Sequence, residues 1–232
     1  MSTVLTARIP RLENGDELTR EEFERRYEAM PGVKKAELIE GVVYMPSPVR
    51  FDLHGAQHVT LVTLFGYYRF RTPGVGVGDN GTVRLDEMNE PQPDVALFIL
   101  PDFGGAIHLV EGYVEGSPEL LAEISASTVS IDLHKKLRAY ERNGVKEYLV
   151  WRTEDNALDW FVHDGQQFQR TEPGSDGVLR SRVFPGLWIA VASLFKDDGP
   201  TLLATLDRGL ASPEHGAFIV QLREAADRIQ AR

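Results

Sequence analysis

The apolar positions change period several times along the chain, and each change marks an element. Phe23, Tyr27 and Met30 recur at helical spacing behind Thr19, Glu21 and Glu22, where acidic side chains suit a helix N-terminus, and Pro31-Gly32 stops the run. Residues 36–45 alternate around Gly41 and end at Pro46 and Pro48, which predicts a β-hairpin. Between His54 and Tyr68 the residues Val59, Leu61, Val62, Leu64, Phe65 and Tyr68 return to helical spacing, predicting a long buried helix. The glycine-rich stretch 74–81 reads as a loop before a brief strand at 82–85. A break at Pro91 and Pro93 admits the apolar run 94–100, a turn follows at 101–105, and Ser117-Pro118 opens a second apolar run at 119–124.

Beyond these strands, Ser130 or Asp132 is expected to cap a helix reaching Asn143, with Gly144 as its left-handed stop. Residues 147–151 form a strand. Residues 158–162, 167–168, 178–179 and 187–191 read as a meander, with turns at Asp164-Gly165 and at Ser175-Asp176-Gly177. One short and one longer helix are expected from Pro200 onward. The order of elements predicts an α/β fold with a mixed sheet. A chain of 232 residues, 42% hydrophobic and 26% charged, suffices for one well-buried core, so a single domain over 1–232 is expected.

The absence of cysteine excludes disulfides, thiolate metal sites and cysteine nucleophiles. Residues 1–10 lack a long apolar stretch behind a basic start, and nowhere do roughly 18 apolar residues follow one another. A soluble, cytoplasmic protein without a membrane segment is expected.

Two acids stand out against this background. Asp94 opens its strand directly behind Pro93, and Glu123 sits among Leu120, Leu121, Ala122 and Ile124, where a carboxylate needs a partner. The alternative for each is a hydrogen-bonded or salt-bridged structural acid. Paired carboxylates hold oxygen-preferring cations such as Mg²⁺ or Mn²⁺, which activate water and polarise a phosphoryl oxygen. The spacing therefore points to metal-dependent hydrolysis of a phosphodiester. On the following helix Leu133, Leu137 and Tyr140 define an apolar stripe; Lys136 falls roughly 65–70° from its middle and Lys135 roughly 165–170° away. Lys136 is thus expected to reach inward and Lys135 to point to solvent, the alternative for Lys136 being a packed stem with a free charge.

A formal net charge of −10 weighs against a nucleic-acid partner, since affinity for a polyanion comes largely from basic side chains. Locally, Lys135, Lys136, Arg138, Arg142, Lys146 and Arg152 outnumber Asp132, Glu141 and Glu147, which leaves a basic excess beside the acids. The glycine-rich stretch lacks the Lys-Ser/Thr ending of a phosphate-cradling loop. Ser125, Ser127, Thr128 and Ser130 have no connectable histidine and read as a helix-entry cluster, and the three tryptophans as core.

At these residues the chain resembles the Uma-two family of bacterial restriction-endonuclease-like proteins, within the PD-(D/E)xK nuclease superfamily. The matching stretches are Glu37 to Gly41, His54-Gly55, Gln92-Pro93-Asp94, Pro118 to Ser125, and Asp132 to Gly144 with Lys136 and Tyr140, continuing through Trp151. The likeness spans about 17–191, with a helical extension at about 197–232 outside it. It implies a restriction-endonuclease-like core with a sheet flanked by helices, Asp94 and Glu123 as metal-binding acids with Mg²⁺ or Mn²⁺, and cleavage of DNA. That superfamily has a lysine two residues after the glutamate, where Ser125 stands here; Lys136 is expected to bring its ammonium into the same space. Accessory candidates are Glu37, Glu40, His54, Ser125, Asp132 and Tyr140. Glu37 or Glu40 either completes the cation's oxygen shell or faces solvent, and His54 either orients a water or phosphate or caps its helix.

Rival readings are a non-catalytic nuclease-fold binding module, favoured by the acidic charge and by Ser125, and a hydrolase of small phosphate or nucleotide substrates. A homodimer is a further expectation, by analogy.

Overall fold

The computed structural model describes residues 8–45 and 51–231. The chain start and the Pro46 and Pro48 stop of the hairpin lie outside them. Helix α1 (Arg20–Glu28) begins at Thr19, whose hydroxyl accepts from Glu22 N, and buries Phe23. Strands β1 (Glu37–Ile39) and β2 (Val42–Tyr44) form the expected antiparallel hairpin. Its turn holds Glu40 and Gly41 at φ 51° and 75°, left-handed backbone that turns the strands tightly back. Leu12, Phe23, Ala36, Leu38 and Val43 form a small core joining α1 to this hairpin.

Helix α2 (Ala56–Arg71) follows a π-helical turn, Phe51–Gly55. It is less buried than its pattern predicts: Leu61, Leu64, Phe65 and Tyr68 face the core, while Val59 and Phe70 are exposed. The glycine-rich stretch is not a loop but a strand, β3 (Val75–Asp79), pairing antiparallel with β5 (Val95–Ile99) beyond the short β4 (Val83–Arg84). Gly76 lies opposite Phe98, and a Cβ there would stand 2.2 Å from the Phe98 ring. The glycine makes room for the ring, so a strand position carries the residue that usually breaks strands.

The hairpin of β6 (His108–Val110) and β7 (Tyr113–Glu115), which the pattern did not predict, joins β4 in a three-stranded sheet. Strand β8 (Leu120–Ser125) leads through a π-helical turn, Ile131–Lys136, into α3 (Leu137–Arg142), and Gly144 at φ 72° ends the helix as expected. Neither Ser130 nor Asp132 caps it: Ser130 makes no side-chain cap, and Asp132 lies inside the π turn and is buried.

Strands β9 (Glu147–Arg152), β10 (Ala157–His163) and β11 (Phe168–Thr171) complete a six-stranded central sheet in the order β11-β10-β9-β8-β5-β3. Only β8 and β9 run parallel; every other pair is antiparallel, so the sheet is mixed. The expected meander divides, since β12 (Val178–Arg180) and β13 (Trp188–Ala190) pair with each other outside the central sheet. The chain closes with α4 (Val191–Phe195), α5 (Gly199–Leu210) and α6 (Pro213–Gln230).

Alternation along the strands divides the interior into two cores. One face of the sheet carries Val95, Leu97, Ala122, Ile124, Leu149 and Trp160 against α2, α5 and α6. Leu202, Leu206, Phe218 and Leu222 belong to this core, so the C-terminal helices are built into the fold rather than appended to it. The other face carries Ala96, Phe98, Leu121, Tyr148 and Val150 against Tyr140, Leu133 and Leu137. Among the described residues no helix is long and apolar enough to cross a membrane.

Candidate active site

The second face also carries the acids. Strands β5 and β8 pair antiparallel with Val95 opposite Ala122, and one further step of that register sets Asp94 opposite Glu123 with both side chains on the α3 face. Both are nearly buried, at 3% and 4% exposure. Asp94 Oδ2 accepts from Ile124 N at 2.7 Å and lies 3.1 Å from His54 Nε2, while Oδ1 is 3.9 Å from Lys35 Nζ. Burial pushes the Asp94 carboxyl up, but His54, Lys35 and the Ile124 amide outweigh it and hold the group below the ordinary carboxylate range. His54 therefore grips an acid rather than capping a helix. His58, one turn further along α2, places Nε2 3.0 Å from the Asp94 carbonyl oxygen and 2.7 Å from Asp79 Oδ1.

Lys136 reaches inward, as its phase on the helix predicts, and is 4% exposed. Its ammonium sits 2.9 Å from Glu37 Oε1, 2.9 Å from Glu123 Oε1 and 3.8 Å from Asp132 Oδ1. Lys135 is half-buried rather than solvent-pointing, its Nζ 5.3 Å from the centre of the Tyr44 ring. Burial alone would lower the Lys136 ammonium, yet Glu123, Glu37 and Asp132 raise it well above the ordinary lysine value. It stays charged.

Three acids around one ammonium leave an excess of negative charge in a dry place. Burial, with Asp94, Asp132 and Glu37 nearby, pushes Glu123 up to about 8 against the pull of Lys136. Tyr140 donates its hydroxyl to Glu123 Oε1 at 3.0 Å. Asp132 Oδ2 accepts from Ser125 Oγ at 2.8 Å and from Thr128 Oγ1 at 2.6 Å. Ser125 thus stands in the cluster without a charge, bracing an acid that in turn faces Lys136. Glu37 Oε1 also accepts from the Gln92 backbone N–H at 2.7 Å.

Glu40 does not join this group. It lies on the hairpin turn and pairs with Arg138 at 2.7 Å and Arg142 at 2.9 Å, so it is no part of a shell around Asp94 and Glu123. Those pairs also change the picture of a basic stretch. Lys136, Arg138 and Arg142 are held by acids, and Arg152 pairs with Asp155 and Asp159, so most of the local positive excess is neutralised within the fold. Lys35, His58, Gln92 and Thr128 are contacts that the spacing of the acids did not disclose. Gln92 lies in a stretch that carries the family resemblance, and Lys35 stands just ahead of the strand that carries Glu37; the sequence carries no such sign for the contacts of His58 and Thr128.

The donor set suits a hard divalent cation. It is all oxygen, from two carboxylates on one face, in a cluster with more acids than cations. Among the described residues no group of three or more histidines and acids is arranged so that it could hold a metal ion. Any cation held here would have Asp94 and Glu123 as its nearest paired acids; Mg²⁺ is commonly held by one or two carboxylates with water and substrate phosphate completing its shell.

A crystal structure of "a putative nuclease" from Anabaena variabilis is similar to the chain at 14% identity, with a TM-score of 0.55, covering 74% of this chain and 96% of that one. At that identity the likeness is one of fold. No functionally curated protein matches the chain. The Uma2 family, described as "Putative restriction endonuclease", matches residues 20–192, which takes in Glu37, His54, Asp94, Glu123, Asp132, Lys136 and Tyr140, and the chain belongs to it.

Proposed function

We propose that the protein is a divalent-cation-dependent endonuclease that hydrolyses DNA phosphodiester bonds. The observation that carries this reading is the register that sets Asp94 opposite Glu123, with Lys136 bonded to the second acid. Mg²⁺ or Mn²⁺ bound there would supply a Lewis acid for the phosphoryl oxygen and a more acidic water. Asp94 and Glu123 would hold the cation. Lys136 fixes the Glu123 carboxylate and offsets charge that builds on the phosphoryl group. Tyr140 orients Glu123 by its hydroxyl, His54 orients Asp94, and Glu37 and Asp132 hold the ammonium in line. The family assignment and the fold support a nuclease over a small-phosphate hydrolase.

Asp94→Asn should retain the fold and lower Mg²⁺-dependent cleavage of plasmid DNA by about 10²–10³-fold or more, the scale of a lost charge-stabilising group. An Asp94→Asn protein that cuts as fast as the parent sinks the assignment. A parent that cuts no DNA at any Mg²⁺ or Mn²⁺ concentration, yet binds it, would instead favour the non-catalytic module.

A further inference from the structure

Beside the acid–lysine cluster a cleft of about 370 Å³ opens between α1, the turn that follows it, β4 and β7. Tyr27, Met30 and Val33 line it from the α1 side, and Arg84 and Tyr113 from the small sheet. Its inner end is formed by the buried Glu90 and Gln92. The Arg84 guanidinium lies over the Tyr113 ring at 4.3 Å, and its Nε is 2.8 Å from Glu24 Oε1 and 3.9 Å from Glu90 Oε2. Glu90 is 4% exposed, and among the described residues its buried Oε2 has no hydrogen-bond partner. An orphaned acceptor inside a cleft is a place where a ligand's donor belongs. Burial, then a hydrogen bond with the Glu24 side chain and the charge of that group, push Glu90 up to about 8 against the pull of Arg84 and Arg20.

The chain itself ties this cleft to the site. Gln92 lines the cleft, while its backbone N–H donates to Glu37 Oε1, the oxygen that also holds Lys136. Asn80, another lining residue, accepts from Lys35 at 3.4 Å, and Lys35 faces Asp94. Three residues lie between Glu90 and Asp94, so across four chain steps their Cα atoms are at most about 14 Å apart. The lining carries Glu24, Glu28 and Glu90 against Lys34 and Arg84, a balance that disfavours a phosphate. Aromatic and apolar walls with a carboxyl at the end suit a flat heterocycle with N–H donors.

We propose that this cleft receives one unstacked nucleobase with an exocyclic amino group, adenine, cytosine or guanine, from the strand whose phosphate lies at the acid–lysine cluster, the amino group donating to Glu90 Oε2. The proposal rests on the nuclease reading for its substrate, and its test is read without cleavage. The full-length Asp94→Asn protein is titrated with adenosine, cytidine, guanosine and thymidine, binding being followed by calorimetry and by ligand-detected NMR. At least one amino-bearing nucleoside should bind about tenfold or more tighter than thymidine, and Glu90→Leu and Tyr113→Ala should each weaken it by about tenfold. Tyr113 is exposed, so its variant removes a wall without opening the core. No saturable binding of any nucleoside at millimolar concentration, equal binding of all four, or binding that survives both variants would overturn the proposal. Plasmid cleavage by the parent, measured separately, reports on the nuclease reading alone.

Discussion

Glu123 and Glu147 are both buried glutamates on neighbouring parallel strands, yet they face opposite sides of the sheet and are answered in different ways. Glu147 is closed by fixed donors: Ser181 Oγ and Arg182 N each at 2.6 Å, and Val183 N at 3.3 Å. Glu123 is answered by a lysine and a tyrosine, with three other carboxylates close enough to raise it. One acid completes a loop; the other belongs to a group whose charges do not balance. A buried carboxylate in an apolar strand is therefore ambiguous in sequence, and the identity of its partners separates the structural from the chemical case.

The largest test of this contrast is Lys136→Met. It leaves Glu37, Glu123 and Asp132 buried without a cation and should cost about 3–5 kcal/mol in urea denaturation. The removal of this lysine is thus not a clean activity knock-out, unlike Asp94→Asn. A Met variant as stable as the parent would show that the acids share protons without needing the ammonium.

Next in size is Glu147→Ala, which orphans three donors and should cost about 2–3 kcal/mol while leaving cleavage per folded molecule unchanged. Loss of cleavage in a folded Glu147→Ala protein would erase the distinction between the two acids. Glu147 also has its own pH signature. Burial raises it from 4.5 in the unfolded chain to about 7 in the folded one, against the Ser181 hydroxyl and the Arg182 and Val183 amides. Between those values the folded state binds more protons, so stability falls as the pH rises and levels off above about 7, by at most about 3 kcal/mol. Glu147→Gln should flatten that part of the curve, measured as thermal midpoint against pH.

Smallest is Glu40→Ala. It breaks ion pairs with two half-exposed arginines, and about 0–1 kcal/mol is expected, fading in high salt. An effect on cleavage larger than on stability would return Glu40 to the site.

Much of this is legible in the sequence. Proline breaks and apolar runs place Asp94 and Glu123 on neighbouring strands, and helical phase turns Lys136 inward; the register that sets the two acids opposite each other is visible only in the fold. Lys136 turns inward as its phase predicts although the segment begins as a π turn, whose i→i+5 bonding no 3.6-residue pattern encodes; Asp132, expected as a cap or as an accessory of the site, lies inside that turn as a buried acid. Strand β3 was missed because glycine's use there is negative, an absence of Cβ opposite Phe98. The β6–β7 hairpin is largely exposed and has no clear alternation, yet its Glu111-Gly112 turn, at φ 53° and 89°, repeats the Glu40-Gly41 pair that marked the first hairpin.

The single parallel pair in the central sheet has a kinetic consequence. Parallel neighbours require a crossover, and this one carries Lys136, so the lysine meets Glu123 across only 13 residues. The hairpin acid is recruited from far away: the Gln92–Glu37 bond spans 55 residues. Loop-closure entropy and contact order set the shorter contact first and the longer one later. During folding, the Glu123–Lys136 half should gain amide protection in pulse-labelled hydrogen exchange before the Glu37 hairpin docks on it. The acid–lysine cluster then completes only when its most distant segment arrives.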